Sequence, residues 1–183
     1  MIILGIAGSL RRESYSRKLL KAAQELVPEG AEIQTFEDLD QIPLFNEDEE
    51  ANPPAKVTEL KQRIRDADAV LFVTPEYNYS VPGVLKNAID TASRPYGDSA
   101  WKGKPVAIMG ASVGALGSSR AQYHLRQMLV FLDMHAVNQP EVMVSNAQKH
   151  FDQDGKLTDE KARKLIQQLL EELKNLTRKL EGA

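Results

Sequence analysis

The run Ala69-Val70-Leu71-Phe72-Val73 constrains this chain more than any other feature. Five consecutive apolar residues, rich in β-branched and aromatic side chains, leave no polar face and predict a strand buried on both sides. Such a strand needs helices over each face, as in a parallel α/β sheet. The next stretch is Thr74-Pro75-Glu76-Tyr77-Asn78-Tyr79-Ser80-Val81-Pro82-Gly83, and then Val84, Leu85, Ala88, Ile89 and Ala92 recur at helical spacing. Pro82 fits the first turn of that helix, where the N–H it lacks would have no partner. Loops at the carboxyl ends of parallel strands are where open sheets bind ligands. Two tyrosine rings, an amide and a carboxylate on such a loop suit a flat aromatic ligand with polar edges. The same Pro, Asn and Ser also favour an ordinary turn.

Strands and helices alternate along the rest of the chain. Strands are predicted at Ile2 to Ala7, Ala31 to Phe36, Lys104 to Met109 and Glu141 to Val144. Helices are predicted at Ser14 to Val27, Pro54 to Asp66, Ser118 to Leu132 and Thr158 to Leu180. The last carries Ala162, Leu165, Ile166, Leu169, Leu170, Leu173 and Leu176 in register. Residues 37–54 read as a polar surface loop within one domain of 183 residues. The pattern specifies an α/β fold: a flavodoxin-like, doubly wound, five-stranded parallel sheet of order 2-1-3-4-5 with helices on both faces. That order opens a crevice between strands one and three, so the loops after Ala7 and Thr74 should meet one ligand.

The first of those loops reads Gly8-Ser9-Leu10-Arg11-Arg12-Glu13-Ser14-Tyr15-Ser16-Arg17. It offers backbone N–H groups at a helix start, three serine hydroxyls and several guanidiniums, the groups that a terminal phosphate needs. It lacks the glycines of G-x-G-x-x-G, which argues against a dinucleotide pyrophosphate site. A mononucleotide phosphate held by side chains fits better; a capped helix start with solvated arginines is the plain alternative.

The loop after the fourth strand contains Gly110-Ala111-Ser112-Val113-Gly114, which matches the G-x-S-x-G nucleophile elbow of serine hydrolases, with Asp133 and His135 or His150 downstream. Against hydrolysis, Ala115 to Gly117 extend the loop instead of entering a helix directly, and no His-Gly-Gly-Gly segment is present. The chain has no cysteine, which excludes thiolate nucleophiles and cysteine-ligated metals. Its three histidines have no metal-motif spacing. A net charge of −3 gives no general attraction to nucleic acid or anionic membrane, so neither is expected as a partner. Met1-Ile2-Ile3-Leu4 enters a strand-like run without a basic leader, and no apolar stretch reaches membrane-spanning length. A cytoplasmic location is the expectation.

Three stretches together resemble the NADPH-dependent FMN reductase family, and within it the chromate and quinone reductases. They are Gly8-Ser9-Leu10-Arg11 with Ser14 and Ser16, Thr74 to Gly83 running on to Leu85-Lys86-Asn87-Ala88-Ile89-Asp90, and Gln122-Tyr123-His124-Leu125-Arg126-Gln127. The resemblance implies FMN as cofactor and NADPH or NADH as co-substrate. By that likeness Ser9, Arg11 and Ser16 would hold the FMN phosphate. Glu76, Tyr77 and Asn78 would line the isoalloxazine, and Ser112 would sit by the ring system or ribityl chain. Ser14, Tyr15, Pro75 and Tyr79 complete the expected cofactor-contacting set. Where many relatives carry asparagine, this chain has Ser16, which implies weaker FMN retention. The implied reaction passes hydride from NAD(P)H to FMN and on to a quinone, chromate, azo or flavin acceptor. It needs no protein acid, base or nucleophile. A flavodoxin-type electron carrier is the rival reading. The likeness also implies homo-oligomers, dimers or tetramers; Tyr123, Val130 and Phe131 give the fourth long helix apolar groups outside its core stripe.

Overall fold

The computed structural model describes residues 1–182. Its first four strands are β1 (Ile2–Ala7), β2 (Glu32–Phe36), β3 (Ala69–Thr74) and β4 (Pro105–Ala111). They are joined or followed by α1 (Tyr15–Glu25), α2 (Ala55–Asp66), α3 (Gly83–Ala92), α4 (Ser119–Phe131) and α5 (Glu160–Glu181). All sheet pairings are parallel, in the order β2-β1-β3-β4, and the fifth position lies beyond β4. That position is shared by two short pieces, β5 (His135–Ala136) and β6 (Val142–Val144), each paired with β4. Sequence periodicity finds β6 and misses β5, because two residues carry no readable alternation. Between them Pro140 has no N–H with which to continue a ladder.

Alternate residues of each central strand enter opposite cores, as a period of two requires. Val70 and Phe72 join Leu60 and Ile64 of α2, Leu85 and Ile89 of α3, and Leu125 and Leu129 of α4. Leu71 and Val73 join Leu19 and Leu20 of α1 and Ile166, Leu169 and Leu170 of α5. Two helices thus cover one face and three the other. Trp101 is fully buried against Phe72, with its indole N–H donating to the Ile89 carbonyl (2.9 Å). Observed ends fall within two residues of the predicted ones for the long helices, and the caps explain where they begin. Ser14 accepts from the Arg17 amide (3.3 Å) at the start of α1, and Asp159 from the Ala162 amide (2.9 Å) at the start of α5.

The 37–54 segment contains two short 3₁₀ turns and is tied down rather than loose. The Asn87 amide on α3 accepts from the Phe45 N–H (2.9 Å) and donates to the Pro43 carbonyl (2.8 Å). Arg94 binds Glu50 (2.6 Å) and Glu47 (3.1 Å) while lying over the Phe45 and Tyr96 rings. Among the described residues no helix is long and apolar enough to cross a membrane.

Candidate active site

The carboxyl ends of β1, β3 and β4 bring three loops together around one cleft of about 240 Å³. Ser9, Arg11, Ser14, Tyr15, Ser16, Pro75, Glu76, Tyr77 and Ser112 line it, joined by Ala111 and Val113. Two other depressions are comparable in size. One of about 330 Å³ lies between α3 and α4, and one of about 280 Å³ lies between α1 and the end of β2. Neither gathers hydroxyls at a helix N-terminus, so the chemistry points to the crevice.

On the β1 side, three serines are nearly or fully buried: Ser9, Ser14 and Ser16, at 3%, 2% and 1% exposure. Ser9 Oγ is bonded to the Tyr77 hydroxyl (3.1 Å), which links the first loop to the second. Ser14 Oγ accepts the Arg17 amide, leaving its O–H free to donate into the cleft. Ser16 Oγ has no protein partner at all, although an unpaired buried hydroxyl costs roughly 1–3 kcal/mol. An anion at the N-terminus of α1 would take that hydrogen and meet the positive end of the helix dipole. The donor set therefore fits a terminal phosphate. Arg11 stands at the exposed rim, where its guanidinium donates to the Glu13 carbonyl and lies 5.2 Å from the Tyr15 ring centre.

On the β3 side, the chain turns back within four residues. Tyr77 N–H donates to the Ser80 carbonyl and Ser80 N–H to the Tyr77 carbonyl, each at 3.0 Å. Both central residues, Asn78 (φ 50°) and Tyr79 (φ 66°), are left-handed, as a type I′ turn demands. Asparagine tolerates that region; for tyrosine it costs on the order of 1 kcal/mol or more. Asn78 and Tyr79 form the exposed tip and do not line the cleft, whereas Tyr77, half exposed, does. The Glu76 side chain, only 7% exposed, turns to the start of α4. There its carboxylate accepts from the Arg120 N–H (3.1 Å), the Ala121 N–H (3.4 Å) and Arg120 Nε (2.6 Å), with Arg120 Nη2 in a further close contact.

The third loop is held down by its neighbours. Gly117 (φ 55°) packs so closely on the Met143 backbone that a β-carbon would lie 2.6 Å from it. Ser112 N–H donates to the Val144 carbonyl (3.0 Å), and Ser112 Oγ accepts from the Gly114 N–H (3.1 Å). No imidazole serves Ser112 as a base: His124 is bonded to Ser80 (2.9 Å), His150 to Asp159 (2.8 Å), and His135 pairs with Pro105 at the opposite end of β4. The contacts made by Arg120, Ser118 and Gln122 are not legible in the sequence. Arg120 reaches a glutamate 44 residues upstream, and no local spacing announces that pairing.

A flavodoxin-like sheet with a hydroxyl-lined helix N-terminus facing an aromatic turn defines a mononucleotide-binding protein. The sequence profile of the NADPH-dependent FMN reductase family matches residues 1–149. An NAD(P)H-dependent FMN reductase of Pseudomonas aeruginosa is 57% identical over 182 residues, spanning 98% of this chain and 97% of that one. A quinone reductase of Pseudomonas putida is 50% identical over 163 residues, 88% of this chain and 87% of that one. Among solved structures, the flavoenzyme NAD(P)H:(acceptor) oxidoreductase FerB from Paracoccus denitrificans superposes with a TM-score of 0.89 at 38% identity, over 97% of each chain. The chain belongs to the NADPH-dependent FMN reductase family. By that membership it is an oxidoreductase that works with FMN and a reduced nicotinamide nucleotide.

Proposed function

We propose that the whole chain acts as one FMN-binding unit that passes reducing equivalents from NAD(P)H to a quinone or similar small acceptor in the cytoplasm. The observation that carries this reading is the unpaired, buried Ser16 hydroxyl among the serines at the start of α1, facing Tyr77. Ser9, Ser14, Ser16 and Arg11 would hold the phosphate. Pro75, Tyr77 and Ser112 would flank the ring system and ribityl chain, and Asn78 and Tyr79 would form the outer lip. Bound there, FMN supplies the two-electron chemistry, which no side chain of this protein can supply. The chain's own work is to bind, to orient and to leave one side of the cleft open to nucleotide and acceptor in turn.

Chromate, azo and flavin acceptors suit the same open cleft, because it presents no built pocket for one substrate. Self-association through α4 completes the proposal. Val130 and Phe131 are 82% and 76% exposed, with Tyr123 also out, and a second copy would cover them. Titrating stripped protein with FMN and with riboflavin tests the reading. One FMN per chain, bound much tighter than riboflavin, is expected; equal affinity would remove the phosphate site.

A further inference from the structure

The Glu76 carboxylate has about four acceptor sites and is met by four donors, all from Arg120 and the Ala121 N–H. It has nothing left to offer a ligand. What it does instead is cap α4. Ser118, at the cap position of that helix, is left-handed (φ 71°) and makes no side-chain cap bond, so the first amides of α4 take their acceptor from a different loop. The guanidinium that closes the pair also lies 3.6 Å from the centre of the Tyr79 ring. One arginine thus grips the strained turn at two points, Glu76 just before Tyr77 and Tyr79 at the tip. The base it grips from is firm, since the buried Gln122 amide of α4 donates to the Val142 carbonyl (3.0 Å) and to Ser118 Oγ (3.3 Å).

We infer that Arg120 is a positioning residue for the cofactor's ring system, acting through Glu76 and Tyr79 to fix Tyr77 in the cleft. The inference rests on the FMN reading above. Tyr77 is anchored on its far side by Ser9, so releasing the turn from α4 would let its ring rotate about that single contact. The phosphate end of the cleft, built on α1, would be untouched. This separation yields a signature that general loosening of the fold does not share. Losing Arg120 should weaken FMN and riboflavin alike, because both carry the ring and only one the phosphate.

The experiment compares parent protein with Arg120→Met, Arg120→Lys and Glu76→Gln, each stripped and titrated with both flavins. Visible-region circular dichroism of the bound flavin and thermal unfolding are recorded in parallel. Arg120→Met should bind both flavins about tenfold more weakly, with the FMN-to-riboflavin ratio unchanged and the flavin dichroism altered. Arg120→Lys keeps the charge but loses the planar fork, so it should fall between parent and Arg120→Met. Should Arg120→Met not fold, Arg120→Lys and Glu76→Gln decide by the same two readouts. Parental flavin affinity and dichroism in the folded variants, whatever their melting temperature, would overturn the inference. So would a loss confined to FMN, which would move Arg120 to the phosphate. Parent protein that binds no FMN would instead overturn the functional reading.

Discussion

Replacing Ser16 by alanine should raise the stability of the flavin-free chain and lower that of the FMN complex. Ser16 is 1% exposed, and its Oγ meets no donor or acceptor from the protein. Removing an unpaired buried hydroxyl relieves a penalty of roughly 1–3 kcal/mol, and the lower end applies because the oxygen leaves a small void behind. For a chain of this size, about 1 kcal/mol corresponds to about 2–4 °C in melting temperature. With FMN present the sign reverses. A hydroxyl that donates to a charged phosphate contributes roughly 1.5–3 kcal/mol, so the variant should bind FMN about ten- to a hundredfold more weakly. At saturating FMN the ligand's stabilisation falls by the same amount, which exceeds the gain in the free chain. Melting curves of parent and Ser16→Ala, each with and without FMN, should therefore cross in rank. A variant that melts lower without FMN and binds FMN like the parent would make Ser16 a packed core serine with no part in the phosphate site.

The remaining predictions touch the rim, the third loop and a half-exposed ion pair. Arg11→Ala should cost about 1.5–3 kcal/mol of FMN binding and leave riboflavin binding unchanged by calorimetry. Ser112→Ala should keep NADPH-dependent quinone reduction within about tenfold at saturating FMN, since it removes one neutral hydrogen bond. The parent should resist a serine-directed fluorophosphonate, and stoichiometric labelling at Ser112 would revive the hydrolase reading. Asp98 accepts from the buried Lys61 ammonium and from Arg65, each at 2.6 Å, and the Lys61 bond holds its carboxyl below the ordinary 3.8. A depressed carboxyl stabilises the fold fully above that ordinary value and loses the effect as pH falls through its folded value. Asp98→Asn should therefore melt lower at neutral pH, and its melting temperature should fall less steeply than the parent's on acidification.

Much of the framework is written locally. The unbroken apolar run at 69–73, the stripe Leu19-Leu20-Ala23 and the register of α5 each depend on neighbours within a few turns, so periodicity reveals them. The serines and tyrosines around the cleft were legible because topology places the ends of β1 and β3 side by side. Three features were not. The fifth strand is broken because its pieces answer to the register of β4, which lies far away in sequence. The direction of Glu76 was also hidden. A carboxylate in a ligand loop is legible in the sequence, but its pairing with the N-terminus of α4 and Arg120 is not. The orphaned Ser16 hydroxyl is likewise a property of packing, since only the structure reveals that a buried serine has no partner.

This chain holds FMN and lets NAD(P)H reduce it for delivery to an acceptor. An anaerobic spectral titration addresses both halves at once. The purified, FMN-loaded protein should be yellow, lose its visible flavin absorption on addition of one equivalent of NADPH or NADH, and recover it on addition of a quinone. A flavin that stays oxidised in excess of both nucleotides would contradict the account and leave an FMN-binding electron carrier in its place.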